Sequence, residues 1–479
     1  MALTTFEIET TSLLISKHCR LDIKYYNFTA IRNWKSFDTK FNYIKLSDIL
    51  EELPIIKFKK GELTEEYYMV NISDQEQRSG DLEKVELTNT LGSDKNYLGD
   101  ADVFISKLGM PRGYIFINTF KGEKVLGSTE FIPYKIKKDF PKLLLKYILL
   151  NPVLIKVYSA LETGKTPSHK RVNPYEFLKI KIPKIPIPIQ DKAVAKIEPI
   201  EKKIKELKSQ IKQPQEIINK VFAREFGFEE NLYNDFGKGM TAGTQIAQNR
   251  KLRTFETDFN EFSRSSIFRF STRFHNPPTK ELMDFMDNIK TLKVKDIIKE
   301  TIHRGASPKY DQNGEIPVVK TGHLKNGYIE ISEEEFVSEE FYNQKERSQV
   351  KENDVLLAST GKVSLGKIDL VETDEKLVVD GHISIIRIDK NKYNPLFFTY
   401  FFRSILGFFQ IERDYTGATN QIELYASEIE KFLIPDISLT EQERVVNEIK
   451  TELDKQKEIE KEIEKERNKI DKIIEEVIK

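Results

Sequence analysis

The sequence predicts a mixed α/β fold built twice: two similar globular domains, each followed by a long charged helix. Three observations predict it. Ile182-Pro183-Lys184-Ile185, Gln190-Asp191-Lys192 and Ile197 recur 252 residues on as Ile434-Pro435-Asp436-Ile437, Gln442-Glu443-Arg444 and Ile449. Upstream matches keep the same order at offsets of 248 to 254: Lys45-Leu46-Ser47-Asp48 with Lys293-Val294-Lys295-Asp296, Asp102–Gly109 with Asp354–Gly361, Pro141 with Pro395, and Thr163-Gly164-Lys165-Thr166 with Thr416-Gly417-Ala418-Thr419. A self-match of this kind marks a tandem duplication. Finally, apolar residues recur every seven positions after each Ile-Pro junction, the period of a narrow two-helix seam.

In chain order, residues 1–184 form the first domain, whose apolar stretch Leu143–Val157 reads as a buried helix. Residues 185–227 form a central spacer helix, with Ile197, Ile204, Ile211 and Ile218 in one heptad frame beside Val194 and Phe222. Pro199 and Pro214 should each remove a hydrogen bond and bend it. Residues 228–255, with Gly237, Gly239 and Gly243 close together, read as a linker. The second domain, residues 256–436, carries β-branched and aromatic runs bounded by turn residues: Ile316–Thr321, Val355–Ala358, Leu377–Val379 and Ile383–Ile388. Lys325-Asn326-Gly327-Tyr328 is a hairpin signal, and Phe397–Phe409 reads as a buried helix. Residues 437–479 form the second spacer helix; Glu441–Lys479 lacks Pro and Gly, and Ile449, Gln456, Ile463, Ile470 and Val477 share a frame, with Val446, Leu453 and Ile474 adjoining. Two helices in one frame favour pairing with each other.

The composition narrows the class. The 479 residues hold one cysteine, Cys19, which excludes an internal disulfide framework and a multi-cysteine zinc site. No apolar run reaches the ~18 residues of a membrane span, and Met1–Ile15 lacks signal-peptide features. The chain therefore reads as soluble and cytoplasmic, with no membrane partner. Its formal charge is zero, 76 basic against 76 acidic residues. That sum hides two opposed halves: residues 1–227 carry 38 basic and 29 acidic side chains, residues 228–479 carry 38 and 47. Neutrality does not exclude a polyanionic partner, and it makes electrostatic binding local and stronger in the first half.

Catalytic signatures fail one by one. Asn276-Pro277-Pro278-Thr279 resembles the loop with which adenine methyltransferases hold a flipped base, but Thr279 replaces the stacking aromatic, so the segment reads as a turn. Gly164-Lys165-Thr166 ends like a phosphate-binding loop, yet Ser159 stands where its first glycine is needed. The six histidines show no metal-ligand spacing; His323 and His382 each adjoin a glycine at a strand end. No catalytic or metal residue is assigned. What remains are polar loops at matching places: Lys107, Arg112, Lys165, His169, Lys170 and Arg171 in the first copy, and Lys320, Thr321, His323, Lys325, Lys362, Ser364, Thr419, Asn420 and Gln421 in the second. Such side chains bind phosphates by charge and base edges through paired donors and acceptors.

With these motifs in place, the sequence resembles type I restriction-modification specificity subunits, from about Asn42 to Lys479. The resemblance rests on the two Ile-Pro junctions, on Val319-Lys320-Thr321-Gly322-His323-Leu324, on Asp354–Gly361 and on Thr416-Gly417-Ala418-Thr419-Asn420-Gln421. It implies two target-recognition domains joined by two antiparallel coiled-coil helices. Each domain would read one half of a split DNA target, and the helices would set the spacing and receive methyltransferase subunits, expected to number two. The loops of the two copies differ, with Asn71-Ile72-Ser73-Asp74 opposite Lys320-Thr321-Gly322-His323, so the implied target is asymmetric. The chain itself would be non-catalytic and hold no cofactor; S-adenosylmethionine, ATP and Mg would belong to methyltransferase and restriction/translocase partners. The other readings are a self-sufficient adenine methyltransferase or restriction enzyme, and a coiled-coil scaffold that binds only protein.

Overall fold

The computed structural model describes residues 11, 22–72, 79, 80, 82, 85–120, 122–137, 140–166, 169–228, 256, 258, 259, 269–275, 277–331, 335–418 and 421–479. The expected linker 228–255 lies outside them except for Phe228. The chain divides into two compact units, residues 1–209 with 461–479, and residues 210–460. Both are mixed α/β.

In the first unit, four antiparallel strands lie in the order Leu50–Glu52, Phe131–Ile136, Val103–Ser106, Ile115–Ile117. A second sheet of five strands contains one parallel pair, Tyr68–Val70 against Val125–Gly127. Phe104, Phe116 and Phe131 are fully buried with Val70, Leu98 and Val125 in one cluster. Burying each such side chain contributes about 1.5–3 kcal/mol. Strand Tyr43–Lys45 pairs with Lys181–Pro183 at the Ile-Pro junction, and so closes the domain beside its outgoing helix.

The second unit has the same four-strand order: His303–Arg304, Ile383–Ile386, Val355–Ala358, Ile368–Leu370. Its second sheet is shorter and keeps the parallel pair, Val318–Val319 against Val378–Val379. Thr291–Lys293 pairs with Leu433–Pro435, as at the first junction. The core here is aromatic, with Phe222, Phe397, Phe398, Phe401, Phe402 and Phe432 buried together.

Both apolar helices expected as single elements are broken. Leu143–Val157 falls in two helices, Lys142–Leu150 and Pro152–Leu161, bent by 62°. Pro152 disfavours a helical Asn151, whose side chain caps the new helix by accepting from Val153 N at 2.9 Å. Phe397–Phe409 falls in Pro395–Arg403 and Ile405–Asp414, because the Ile405 amide leaves the helical ladder for the Asn219 side-chain oxygen at 2.8 Å. Among the described residues no single helix is long and apolar enough to cross a membrane.

The central segment 185–227 is also not one helix. It forms Ile187–Lys208 and Pro214–Phe226. Pro214 lacks an N–H and holds Gln213 extended, at ψ 138°. The boundary between units falls in this break. Pro199, by contrast, stays within its helix, which runs on to Lys208. The last helix, Leu439–Ile478, is continuous for 40 residues. In the second unit its early part runs antiparallel to Pro214–Phe226: Gln456 accepts from Lys212 N at 2.8 Å, and Arg224 and Glu225 pair with Glu448 and Arg444. In the first unit Lys203 pairs with Glu462 and Glu466 at 2.7 and 2.8 Å. The segment expected as a turn at Asn276-Pro277-Pro278-Thr279 is helical from Pro277 on: Pro277 and Pro278 open the helix Pro277–Asn288, where a missing N–H costs no internal bond. Asn276 itself lies outside the described residues.

Candidate nucleic-acid interface

In each unit the candidate loops converge where a two-stranded hairpin lies against the end of a central strand. The hairpins are Glu162–Thr163 with Arg171–Val172, and Thr416–Ala418 with Gln421–Glu423. Their registers correspond: Leu108 bridges Arg171 in one unit and Thr360 bridges Glu423 in the other, each position exactly 252 residues from its counterpart. Gly164 and Gly417 make the tight hairpins possible. Both have positive φ (127° and 94°), and a Cβ on either would lie 2.4 Å or less from the facing backbone oxygen, that of His169 or Gln421.

In the first unit the Lys107 amide donates to Glu130 O at 3.0 Å, and its carbonyl accepts from Val172 N at 3.1 Å. Arg171 clamps Glu130 through Nε and Nη2 at 2.8–3.2 Å. This pairing holds the Glu130 carboxyl below its usual range and raises the Arg171 guanidinium. Burial pushes Glu162 and Glu52 up, opposed at Glu162 by Lys170 and Arg112 and at Glu52 by Lys107. Four of the six candidates thus surround three carboxylates. Lys165 and His169 sit exposed nearer the hairpin tip, with His169 Nδ1 2.7 Å from Thr166 Oγ1.

The second unit assembles a longer polar chain. The Lys320 ammonium bonds Glu335 and stands 4.9 Å from the centre of the Tyr310 ring; Glu335 and then Tyr310 raise its pKa. Its amide donates to His323 Nδ1 at 3.2 Å. Asp380, at the end of the parallel strand, is pushed up by burial and pulled down by His382, Lys320 and His323. The His382 amide donates to Asp380 Oδ1 at 2.9 Å, and its Nδ1 lies 2.7 Å from Thr360 Oγ1. Thr360 leads to Glu423, which pairs with Arg304. Thr321, in the 3-10 turn Thr321–His323, is half-buried. Lys325 pairs with Glu330 at 2.8 Å; Lys362 and Gln421 are exposed, and Ser364 is half-buried. Thr419 and Asn420 lie outside the described residues. Among the described residues no group of three or more metal-ligating side chains forms.

Several participants escape a reading that looks only for cations and amides. Glu130 and Glu335 pair with the candidates Arg171 and Lys320, Asp380 acts on Lys320 and His323, and Glu423, Arg304 and His382 extend the second unit's network. The sequence signal for His382 is its position 252 residues after Glu130, in the turn that follows the parallel strand.

The seam residues lie buried. Ile197, Ile204, Ile463, Ile470 and Val477 are at most 9% exposed in the first unit, and Ile218 and Ile449 are fully buried in the second. Leu453 is partly buried against the aromatic core. Ile211 falls in the break between helices and is only half-buried.

Residues 286–468 match the family model of the type I restriction modification DNA specificity domain. This stretch of the chain is similar to the DNA specificity domain of type I restriction-modification systems. The matched stretch includes Lys320, Thr321, His323, Lys325, Lys362, Ser364 and Gln421, and much of the last helix. Comparison with curated proteins gives no match. Among solved structures, similarity extends to a chain of a type I R-M system described for its complex assembly and conformational transition (12% identity, 92% of this chain and 99% of that one, TM-score 0.43). It extends also to the type I S subunit of M. genitalium (11%, 92% and 98%, TM-score 0.39) and the HsdS subunit of Thermoanaerobacter tengcongensis (12%, 91% and 96%, TM-score 0.32).

Proposed function

We propose that the whole chain is the specificity subunit of a type I restriction-modification complex, arisen by tandem duplication, with each unit reading one half of a bipartite, asymmetric DNA target. The observation that carries this reading is the specificity-domain match over residues 286–468 together with the recurrence of its strand order and hairpin register in the first unit. The differing loop residues support two unlike half-sites. Exposed Lys165, Lys170, Lys362 and Arg112 would contact phosphates, which position without specifying. His323, Gln421 and the undescribed Thr419 and Asn420 have the donor and acceptor sets that read base edges.

In this reading the chain performs no chemistry. Two methyltransferase subunits dock on the helical segments and supply S-adenosylmethionine, and restriction/translocase subunits supply ATP-driven cleavage with Mg. The paired helices set the distance between the half-sites; one turn of DNA is about 34 Å. The complex would work in the cytoplasm, where its DNA is. The test is methylome sequencing with and without the gene, joined to footprinting of the assembled complex. A two-part methylated motif that disappears with the gene supports the reading. Methyl transfer by the purified chain alone, or a complex that protects no two-part site, overturns it in favour of a self-sufficient enzyme or a protein scaffold.

A further inference from the structure

Within the second unit two neighbouring buried charged residues stand where the first has apolar ones. Asp369 and Arg403 are 1% and 3% exposed. Asp369 lies on strand Ile368–Leu370, Arg403 at the end of helix Pro395–Arg403, and this helix packs on this strand. The equivalent strand and helix of the first unit, Ile115–Ile117 and Lys142–Leu150, pack in the same way 253 residues earlier. There the matching residues are Phe116 and Leu150, both buried and apolar. The fold therefore accepts an apolar pair at these positions. Asp369 and Arg403 influence one another electrostatically, and replacing buried charged groups by apolar side chains is often neutral or stabilising, so stability does not explain Asp369 and Arg403.

Their surroundings do. Both oxygens of Asp369 accept amides of the turn Lys325–Tyr328: Asn326 N at 2.9 Å and Gly327 N more closely. Asn326, in a left-handed conformation (φ 57°), returns the contact by accepting the Ile368 amide at 2.9 Å. The Arg403 guanidinium lies 3.8–4.0 Å from the Cβ that Gly327 lacks, and its Nε has no hydrogen-bond partner. The Arg403 carbonyl accepts from Gln215 Nε2, which also donates to Asn219 Oδ1 at 3.2 Å; Asn219 in turn accepts the Ile405 amide. The chain of contacts runs from a turn bearing exposed Lys325 and Tyr328 to the helix Pro214–Phe226.

We propose that Asp369 and Arg403 are positioning residues for DNA discrimination, Asp369 holding the turn Lys325–Tyr328 in its reading geometry through the turn amides and the Arg403 guanidinium packing against it at Gly327. The proposal rests on the specificity-subunit reading above. It also gives this turn a pH dependence of its own. Burial pushes Asp369 up to about 6, opposed by the turn amides and by Arg403. The charged and titratable groups around the pair are few: Arg403 faces Asp369, Tyr400 faces Arg403, and Glu372 and Asp454 act on Tyr400. Protonation would place a donor among donors and release one of the two amides. The sign for folding is opposite: with its folded pKa raised above the ordinary 3.8, Asp369 favours the folded state below that value and loses this contribution as pH rises through about 6. Such an ionised group costs stability at neutral pH, in keeping with a role in recognition.

The experiment compares three proteins assembled with the methyltransferase subunit: the unmodified chain, Asp369→Asn, and the double variant Asp369→Phe/Arg403→Leu, which installs the first unit's pair. Each is tested for binding to DNA with single-base changes in either half-site, at pH 5.5 and 7.5. We expect the double variant to fold and to keep its first-half discrimination while losing about tenfold at the second half, the scale of one mismatched base pair. Asp369→Asn should remove the weakening at pH 5.5 that the unmodified chain shows at the second half; pH effects of other groups are common to both proteins. Unchanged discrimination by the double variant, equal losses in both halves, a misfolded double variant, or identical pH profiles each overturn the proposal. An unmodified complex with no two-part site overturns the specificity-subunit reading itself, and the proposal with it.

Discussion

At the base of their hairpins the two units make the same backbone bridge and carry opposite charges on it. In the first unit the bridged hairpin residue is Arg171, held by Glu130 from the turn after the parallel strand. In the second it is Glu423, held by Arg304 from an edge strand. The backbone frame recurs to the residue, whereas the side chains on it have exchanged sign and changed partner. Hydrogen-bond register and the glycine at each hairpin hold the frame; the groups that project from it are free to diverge. That is the division of labour expected of two readers with different targets, because phosphates and base edges meet side chains rather than the sheet.

The strongest way to break this comparison is to exchange one reader. Replacing residues 1–184 with those of a relative should change one half of the methylated motif completely and leave the other intact, as methylome sequencing would reveal. A change in both halves would show that the units do not read independently.

Next in size is the seam. Ile463 and Ile470 are buried in the first unit. Replacing both with Asp should cost more than the about 2–5 kcal/mol of truncating a single buried isoleucine, lower the Tm of the first unit and abolish complex formation in size-exclusion chromatography. Retention of the complex would count against these helices as the docking element.

Phosphate contacts come third. Lys165→Ala and Lys362→Ala should each weaken binding roughly equally across sequences and reduce the slope of log affinity against log salt by about 0.9. A change in sequence preference instead would move either lysine from positioning to reading.

The smallest effect sharpens the charge inversion itself. Glu130 and Glu423 both titrate below their ordinary 4.5, held there first by Arg171 and Arg304 respectively. Each pair's contribution is therefore present above pH 4.5 and lost as pH falls through the depressed folded value. Both pairs are partly exposed, so Arg171→Met or Arg304→Met should cost no more than about 1 kcal/mol at pH 7. In urea unfolding the difference from the unmodified chain should shrink at pH 3. An undiminished difference would mean that the arginines act by packing.

Much of the frame was legible in the sequence. Val355–Ala358 and Leu377–Val379 are strands at the expected residues, because their β-branched and apolar runs are bounded by turn residues. The last helix runs Leu439–Ile478, against an expectation of residues 437–479, since no Pro or Gly interrupts its period from Glu441 on. Apart from the turn expected at Pro277-Pro278, which opens a helix, the misplaced elements are helices read as one where there are two. At Asn151 the signal was present in Pro152. At Ser404 nothing local announces the break, which depends on Asn219, 186 residues away. In the candidate interface the basic loop residues were visible, and their carboxylate partners were not, because no spacing rule connects Arg171 to Glu130 or Lys320 to Asp380.

The sequence by itself determined what depends on near neighbours and on repetition: helical period, turn glycines, proline stops and the 252-residue self-match. Only the tertiary structure decided which strands lie side by side, which carboxylate holds each arginine, and that a phenylalanine–leucine pair in one unit stands as an aspartate–arginine pair in the other. The physical reason is range. Backbone dihedrals and side-chain periodicity are fixed within a few residues, whereas the partners of a buried or half-buried charge are chosen by the surfaces that close over it, and those come from distant parts of the chain.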